Sequence, residues 1–168
     1  MVLSLLAAML APLPLPEAQQ AIVTRVAAQG LPECQIYYPD GSQGPCLPRV
    51  AVTQGEAVNS RSLDGQITMT HGATTRLTAD EFALLAGHEI AHWYLGHRAS
   101  SLEAELAADR LGAVLACRAG YDLTRAVSIY RFAGQGRDHP ARSLRRAAVL
   151  AVDCPGTQPL GTTATLSR

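Results

Sequence analysis

The chain has 168 residues, which suits one domain able to bury roughly 70% of its unfolded surface. Its apolar fraction is 48% and its charged fraction 17%, which is typical of a globular protein and excludes a disordered one. The formal net charge is zero, and the basic residues, all arginine, form no long run. No nucleic-acid-binding surface is therefore expected.

The N-terminal segment, residues 1–16, reads MVLSLLAAMLAPLPLP and is almost wholly apolar. It is too short to cross a bilayer comfortably. It resembles the apolar part of a secretory signal, although no Lys or Arg precedes it and no A-x-A cleavage site follows. We expect an export segment that is either removed or kept as an anchor. The alternative is an apolar arm packed on the domain.

The sequence of the first part of the domain predicts one helix followed by short strands. Residues 17–29 predict a helix that stops at Gly30. Pro, Gly and Asp dominate residues 31–48, which predicts a loop. Three strands are expected next, and the turn residues 63–65, Leu-Asp-Gly, would join the last two as a hairpin. The strand ranges are 49–54, 56–62 and 66–72.

Four helices are expected after the strands. Thr78 and Glu81 match a capping box at the start of the first, which would end near Gly96. Ser100 and Glu103 match a capping box at the start of the second. The helices would cover residues 79–97, 101–120, 122–132 and 141–152, within a single domain at 17–155 that precedes a mobile tail at 156–168.

Four cysteines are present, and none forms a C-x-x-C pair, so a cysteine zinc site is not expected. We predict the disulfides Cys34–Cys46, closing the loop, and Cys117–Cys154, tying a helix to the tail. An even cysteine count together with the apolar N-terminal segment favours a periplasmic or secreted protein. The alternative is four buried free thiols.

The stretch HEIAHWYLGH, residues 88–97, has the composition of a metal site. His88 and His92 are four residues apart, so a helix places both rings on one face, as two zinc ligands require. Glu89 is rotated away from the metal but can reach a water beside it, which is the position of the general base in zinc peptidases. A catalytic zinc needs a third protein ligand.

Three nearby residues are candidates for the third ligand: His97, Glu103 and Glu105. His97 does not match the metzincin spacing, and in a continued helix it would point about 140° away from His92. A histidine at the helix end, near the last carbonyls, is therefore the favoured interpretation of His97. Glu103 is explained by the capping box, which leaves Glu105.

Glu105, Asp109 and Gly112 form one stripe of the second helix. Asp109 can accept the free N–H of a ligand imidazole, and Gly112 would let the two helices approach closely. The alternative for Asp109 is a salt bridge to Arg110 or Arg145.

Three segments of the chain resemble the gluzincin metallopeptidases that include the CAAX prenyl endopeptidases and the HtpX-like and BepA-like proteases. The first is HEIAHWYLGH followed by EAELAADRLGAVLACRAGYD. The second, AVNSRSLDGQITMTHG, resembles the hairpin before the family's active-site helix, and the third, DHPARSLRR, resembles a late family segment. They span residues 57 to about 146 in the family's order.

The resemblance implies an α+β, mainly helical zincin-like domain with one Zn²⁺ held by His88, His92 and Glu105. Glu89 would be the base and Asp109 would hold a ligand histidine. His139 and Arg145 would lie near the cleft, either stabilising the oxyanion or capping the open zinc position, with Tyr121 as a further oxyanion candidate. Asp138 stands where the family usually has Thr.

The function implied is a zinc-dependent endopeptidase that acts on unfolded or misassembled exported proteins. We expect a polypeptide substrate to add to the edge of the strand QITMT as an extra strand. The family's transmembrane helices are not recognisable, so membrane association is not required. The alternative is a non-catalytic or latent zinc-binding, chaperone-like module with the same fold.

Overall fold

A computed structural model describes residues 12–30, 35–37, 43–45, 48–63, 66–134 and 139–154, with the backbone alone at 35–37 and 43–45. Its strands are β1 (Gln35–Tyr37), β2 (Gln43–Pro45), β3 (Arg49–Thr53), β4 (Ser60–Leu63) and β5 (Gln66–Thr70). Its helices are α1 (Glu17–Ala27), α2 (His71–Arg76), α3 (Ala79–Tyr94), α4 (Leu102–Arg118), α5 (Leu123–Ala126) and α6 (Arg142–Leu150), with a 3₁₀ helix at Val127–Arg131. The fold is α+β and mainly helical, as predicted.

A three-stranded sheet lies before the helix that carries the histidines. Its order is β3-β5-β4, with β3 parallel and β4 antiparallel to β5. The predicted hairpin of β4 and β5 is confirmed. The prediction that the QITMT strand forms an edge is wrong, because β5 is the central strand. The described residues leave β4 paired on one side only, whereas Leu13 bridges the outer side of β3 at Val52.

Local structure departs from the predicted pattern on either side of this sheet. Residues 31–48 were expected to form a loop, but β1 and β2 pair there as a short antiparallel ladder. The predicted strand at 66–72 ends at Thr70, whose side chain accepts the Ala73 N–H and so starts α2. The predicted strand at 56–62 begins only at Ser60.

Helix α3 runs through the core. Its N-cap is Thr78, and the predicted capping box with Glu81 is present. Most of its residues are buried, including Phe82, Leu84 and Ile90, which explains why its sequence is apolar on more than one face. The sheet contributes Ile67 and Met69 to the same core.

Helices α3 and α4 touch at a pair of glycines. A Cβ on Gly87 would lie 2.5 Å from the Gly112 carbonyl oxygen, and a Cβ on Gly112 would lie 2.5 Å from the His88 nitrogen. Any larger residue at either position would push the helices apart. The close approach predicted at Gly112 is therefore present, with Gly87 as its counterpart.

The last helices pack over α4. The predicted helix at 122–132 is instead the short α5 followed by the 3₁₀ helix. The predicted disulfide Cys117–Cys154 is present and ties α4 to the chain after α6, which is compatible with an exported protein. The predicted Cys34–Cys46 bridge, the N-terminal segment and the tail lie outside the described residues. In the described part of the chain, no helix is long and apolar enough to cross a membrane.

Candidate metal centre

Two histidines of α3 direct their Nε2 atoms towards each other. His88 and His92 lie one turn apart on the same helix face, as their spacing predicts. Their Nε2 atoms are 3.0 Å apart, and their rings meet edge to face with an 84° angle between planes. His88 is buried and His92 is half-buried, so the protein holds both rings in place.

The carboxylate of Glu105 on α4 completes a group of three ligand atoms. Its Oε2 lies 3.6 Å from His88 Nε2, and its Oε1 lies 3.5 Å from His92 Nε2. The side chain of Glu105 is only 6% exposed. The glycine contact between α3 and α4 brings this carboxylate within reach of the histidines. His88, His92 and Glu105 could therefore hold a metal ion.

The spacing and chemistry of the three atoms fit a small divalent metal. Ligands about 2.0–2.1 Å from a tetrahedral zinc would lie roughly 3.3–3.4 Å from one another. The two nitrogens are 3.0 Å apart, and each lies near a different carboxylate oxygen, His92 Nε2 at 3.5 Å from Oε1 and His88 Nε2 at 3.6 Å from Oε2, so the separations bracket that value. When both imidazoles are neutral with the proton on Nδ1, their Nε2 atoms and the ionised carboxylate are all acceptors, and buried acceptors that face one another repel unless a cation or proton lies between them.

Asp109 fixes the orientation of His88. His88 Nδ1 lies 2.9 Å from Asp109 Oδ1. An ionised carboxylate only accepts, so Nδ1 carries the proton and Nε2 keeps its lone pair towards the ligand group. The predicted contact of Asp109 with one of the two helix histidines, His88, is thus seen in the structure.

The alternative interpretation of Asp109, a salt bridge to Arg145, is also correct. Arg145 donates to both carboxylate oxygens, at 2.8 and 2.7 Å, and Tyr130 donates its hydroxyl at 2.9 Å. Burial alone would raise the pKa of Asp109, but the hydrogen bonds from Arg145 and His88 outweigh it and lower that pKa. Burial, reinforced by the charge of Asp109, raises the pKa of Tyr130, so its hydroxyl stays protonated and donates.

Glu105 is surrounded by donors and positive charge. Ser100 donates its hydroxyl to Oε1 at 3.0 Å, and Arg145 and His139 lie 3.6 and 3.5 Å from Oε2. Burial opposes ionisation, yet in the metal-free chain a hydrogen bond from His92 and the charges of His88 and Arg145 hold the pKa of Glu105 at about 2. The carboxylate is therefore ionised at neutral pH, as a metal ligand must be.

The N-terminus of α4 corrects the predicted capping box. The N-cap is Ser101, whose hydroxyl accepts the Ala104 N–H, and not Ser100. Glu103 is consequently not the reciprocal cap residue, and it is exposed, away from the three ligand atoms. The hydroxyl of Ser100, one position earlier, instead donates a hydrogen bond to the Glu105 carboxylate.

His97 does not point away from the site. Its Nδ1 lies 3.0 Å from His92 Nδ1, with the ring centroids 5.2 Å apart. Burial and the neighbouring His92 lower the pKa of His97, although Glu105 opposes them. His97 is a helix-end histidine, as predicted, and lies outside the group that could hold a metal, but the expectation that it points away from His92 is wrong because α3 ends at Tyr94 and the chain turns back.

Glu89 lies beside the ligand group but contacts a different partner. Its side chain is buried, and its Oε1 accepts the Ser60 hydroxyl at 2.6 Å. Ser60 is the first residue of β4 and pairs with Met69 of β5. Sequence reasoning did not single out Ser60, because only the sheet order shows that β4 reaches α3.

The three late candidates have different positions. Arg145 is buried and committed to Asp109, whereas His139 is 48% exposed and lies at the cleft beside Glu105. Tyr121 does not line the cleft; its ring lies 5.9 Å from the Arg25 guanidinium. Tyr130, which sequence reasoning missed, lines the cleft instead.

The ligand group lies in a cleft of about 620 Å³. β4 and the two residues before it line one part of the cleft, and apolar side chains line another. That volume is within the roughly 300–1,000 Å³ range of ordinary ligand pockets. The apolar part consists of Leu84, Leu85, Ile129, Phe132 and Ala133.

The chain matches no protein-family model, and a comparison with curated proteins finds no match either.

Proposed function

We propose that the protein is a zinc-dependent endopeptidase with a zincin-like fold. The observation that carries the proposal is the position of Glu89. Its carboxylate lies on the helix that supplies two of three converging ligand atoms, one residue from the ligand His88, and it borders the same cleft. The other two carboxylates beside the group already have roles, since Glu105 is a candidate ligand and Asp109 holds His88. Glu89 is therefore the carboxylate available as a base.

Zinc is the metal that best matches the donors. Two imidazole nitrogens and one carboxylate oxygen form a catalytic type of zinc site, in which three protein ligands leave one position open. Zinc bound there would acidify a water molecule and polarise the substrate carbonyl. We infer one zinc per chain, because His88, His92 and Glu105 form a single group.

Glu89 would act as the general base. Ser60 occupies Oε1, which leaves Oε2 for the attacking water. Glu89 would accept the proton of that water as the peptide carbonyl is attacked, and would then donate it to the nitrogen of the leaving amine. Both transfers need a carboxylate held in one orientation, and the Ser60 bond supplies that restraint.

His139 is the better candidate for stabilising charge on the carbonyl oxygen. It is half-exposed at the cleft, so its ring can donate a hydrogen bond to a substrate. Arg145 is buried and bonded to both oxygens of Asp109, so we assign it to holding Asp109, and through it His88, in place.

The substrate would be an extended polypeptide. In the residues that the structure describes, β4 is the edge strand beside the cleft, so a peptide would pair with its backbone there, rather than with β5 as the sequence pattern predicted. Recognition through backbone suits unfolded or misassembled proteins. Because the disulfide favours an oxidising compartment, we place the enzyme in the periplasm or outside the cell.

The test compares the purified wild-type chain with Glu89→Gln and, as a matched control, Glu103→Gln on the exposed start of α4. We expect one zinc in each protein and chelator-sensitive cleavage of an unfolded substrate by wild type and Glu103→Gln. Glu89→Gln should cleave on the order of 10²- to 10⁴-fold more slowly, because it lacks the base.

Each departure from this result has a separate meaning. Equal cleavage by wild type and Glu89→Gln would contradict the role of Glu89. A wild-type chain without zinc would contradict the metal centre. Stoichiometric zinc without cleavage by wild type would favour the non-catalytic module.

A further inference from the structure

His97 is the third histidine of HEIAHWYLGH and lies outside the group of three ligand atoms. It nevertheless touches that group, since its Nδ1 is 3.0 Å from His92 Nδ1. The two rings meet at 70°, edge to face, so the contact is directional and not a stacking of apolar faces. In the described part of the chain, His97 is the side chain that contacts His92 Nδ1.

The end of α3 explains how this contact forms. Leu95 is the C-cap, and Gly96 follows with a φ of 66°, a left-handed conformation that glycine adopts without strain. The Gly96 N–H donates to the Trp93 carbonyl and the His97 N–H donates to the His92 carbonyl, at 3.1 and 3.0 Å. These two bonds define a Schellman motif.

A Schellman motif brings two particular side chains together. The residue after the left-handed glycine turns back towards the third residue from the helix end, and these two positions commonly make an apolar contact. Here those positions hold His97 and His92, so the same backbone turn produces a contact between two imidazoles. The glycine at position 96 therefore matters for the site as well as for the helix end.

We propose that His97 is a positioning residue that fixes the tautomer and ring orientation of the ligand His92; this rests on the proposed zinc site. Two imidazole nitrogens 3.0 Å apart need one proton between them. When His92 Nδ1–H donates to the lone pair of His97 Nδ1, His92 Nε2 keeps its own lone pair for the metal. His97 then carries its proton on Nε2.

Each of the two ligand histidines thus donates its Nδ1–H to an acceptor outside the ligand group, but the two acceptors differ in chemistry. Asp109 accepts from His88 Nδ1 at 2.9 Å, and His97 accepts from His92 Nδ1. Asp109 is a buried anion held by Arg145, whereas His97 is a neutral, half-buried ring. The site therefore gains a second orienting acceptor without a further negative charge beside Glu105.

The first measurement is the zinc dissociation constant of the full chain, by competition with a chromogenic chelator. We expect His97→Ala to bind zinc on the order of 10- to 100-fold more weakly than wild type, as is usual when the outer partner of a ligand histidine is lost. His97→Asn should recover much of the affinity, because its Oδ1 can accept near the former position of Nδ1. His71→Ala removes an exposed histidine away from the cleft and should bind like wild type.

The second measurement is nitrogen-15 NMR of the zinc-loaded chain, which reports the tautomer of each histidine. We expect His92 to carry its proton on Nδ1 and His97 on Nε2. Equal zinc affinity of wild type and His97→Ala, or a proton on Nδ1 of His97, would overturn the role of His97 alone. A wild-type chain that binds no zinc would overturn the metal centre, and this role with it.

Discussion

Helix α3 carries two buried polar clusters whose hydrogen bonding differs. Near its N-terminus, the carboxylate of Glu81 is almost fully buried and accepts from Thr78, Ser128 and Arg131. We call this the Glu81 cluster. Every contact in it joins a donor to an acceptor, so the hydrogen-bonding capacity of the buried carboxylate is used within the cluster, as is general for buried polar groups.

The ligand group of His88, His92 and Glu105, two turns further along, has a different arrangement. Ser100 donates to Glu105 and His88 donates to Asp109. The Nε2 atoms of His88 and His92, in contrast, face each other at 3.0 Å, with Arg145 Nη2 3.4 Å from His88 Nε2. Burial and charge alone would not separate the two clusters, since both contain buried carboxylates. The facing imidazole nitrogens distinguish the ligand group, which could hold a metal, from the Glu81 cluster.

The largest effect on stability is expected at Arg145, which forms a buried ion pair with Asp109 beside the candidate metal centre. Arg145→Met should lower the free energy of unfolding by about 3–5 kcal/mol, because Asp109 would keep a buried charge without its cation. Urea unfolding of the metal-free chain measures this loss. Arg146→Met, the exposed neighbour on α6, is the matched control and should change little. Similar losses in both variants would show that Asp109 does not depend on Arg145.

Glu81→Gln should have the next largest effect, and it tests the other cluster. The amide can still cap α3 but cannot match the charge of Arg131, so we expect a loss of about 1–3 kcal/mol in the free energy of unfolding. Zinc affinity should remain that of wild type, because the Glu81 cluster does not include a ligand. A weaker zinc affinity in Glu81→Gln would mean that the two clusters are coupled along α3.

The effect of Glu81→Gln should depend on pH. Burial raises the pKa of Glu81, but bonds from Arg131, Ser128 and Thr78 outweigh it and lower the pKa from 4.5 to about 2. A carboxyl whose pKa is lowered by folding stabilises the protein above its unfolded pKa and loses that contribution as the pH falls through the folded value. The stability difference between wild type and Glu81→Gln should therefore be constant above pH 4.5 and shrink towards pH 2. A difference that does not change with pH would contradict this.

The features that local spacing determines were predictable from the sequence. The capping box at Thr78 and the shared face of His88 and His92 depend on residues three and four apart, and the structure has both. The stripe of Glu105, Asp109 and Gly112 was equally readable, because helix periodicity alone places its members on one face. For this reason the ligand group itself could be predicted.

The errors arose where the chain reverses or pairs at long range. The expectation that His97 points away from His92 assumed a continuing helix, whereas the left-handed Gly96 ends α3 in a Schellman motif that turns His97 back. At the start of α4 the predicted N-cap was Ser100, but the N-cap is Ser101 and the Ser100 hydroxyl donates to Glu105. Either of two adjacent serines can cap the helix, so the sequence alone does not decide between them. The central place of β5 depends on its parallel pairing with β3, and strand periodicity contains no information about that partner.

The smallest expected effect concerns Ser60, whose hydroxyl donates a hydrogen bond to the proposed general base Glu89. In the described part of the chain the Ser60 hydroxyl donates to Glu89 Oε1, and Glu89 Oε2 is the oxygen proposed to accept a proton from the water. Ser60→Ala should lower the rate constant kcat for cleavage about tenfold, since an orienting hydrogen bond to a charged group contributes about 1.5–3 kcal/mol and only part of it acts on the transition state. KM and zinc content should not change.

Ser62→Ala is the matched control, because Ser62 lies on the same face of β4 and its buried hydroxyl has no partner in the described part of the chain. Removing that hydroxyl costs no hydrogen bond, so kcat should stay at the wild-type value. Ser60→Thr keeps the donor and should retain most of the activity. If Ser60→Ala and Ser62→Ala lost activity equally, the effect would come from packing of β4 against α3. If Ser60→Ala raised KM instead of lowering kcat, Ser60 would contact the substrate rather than orient Glu89.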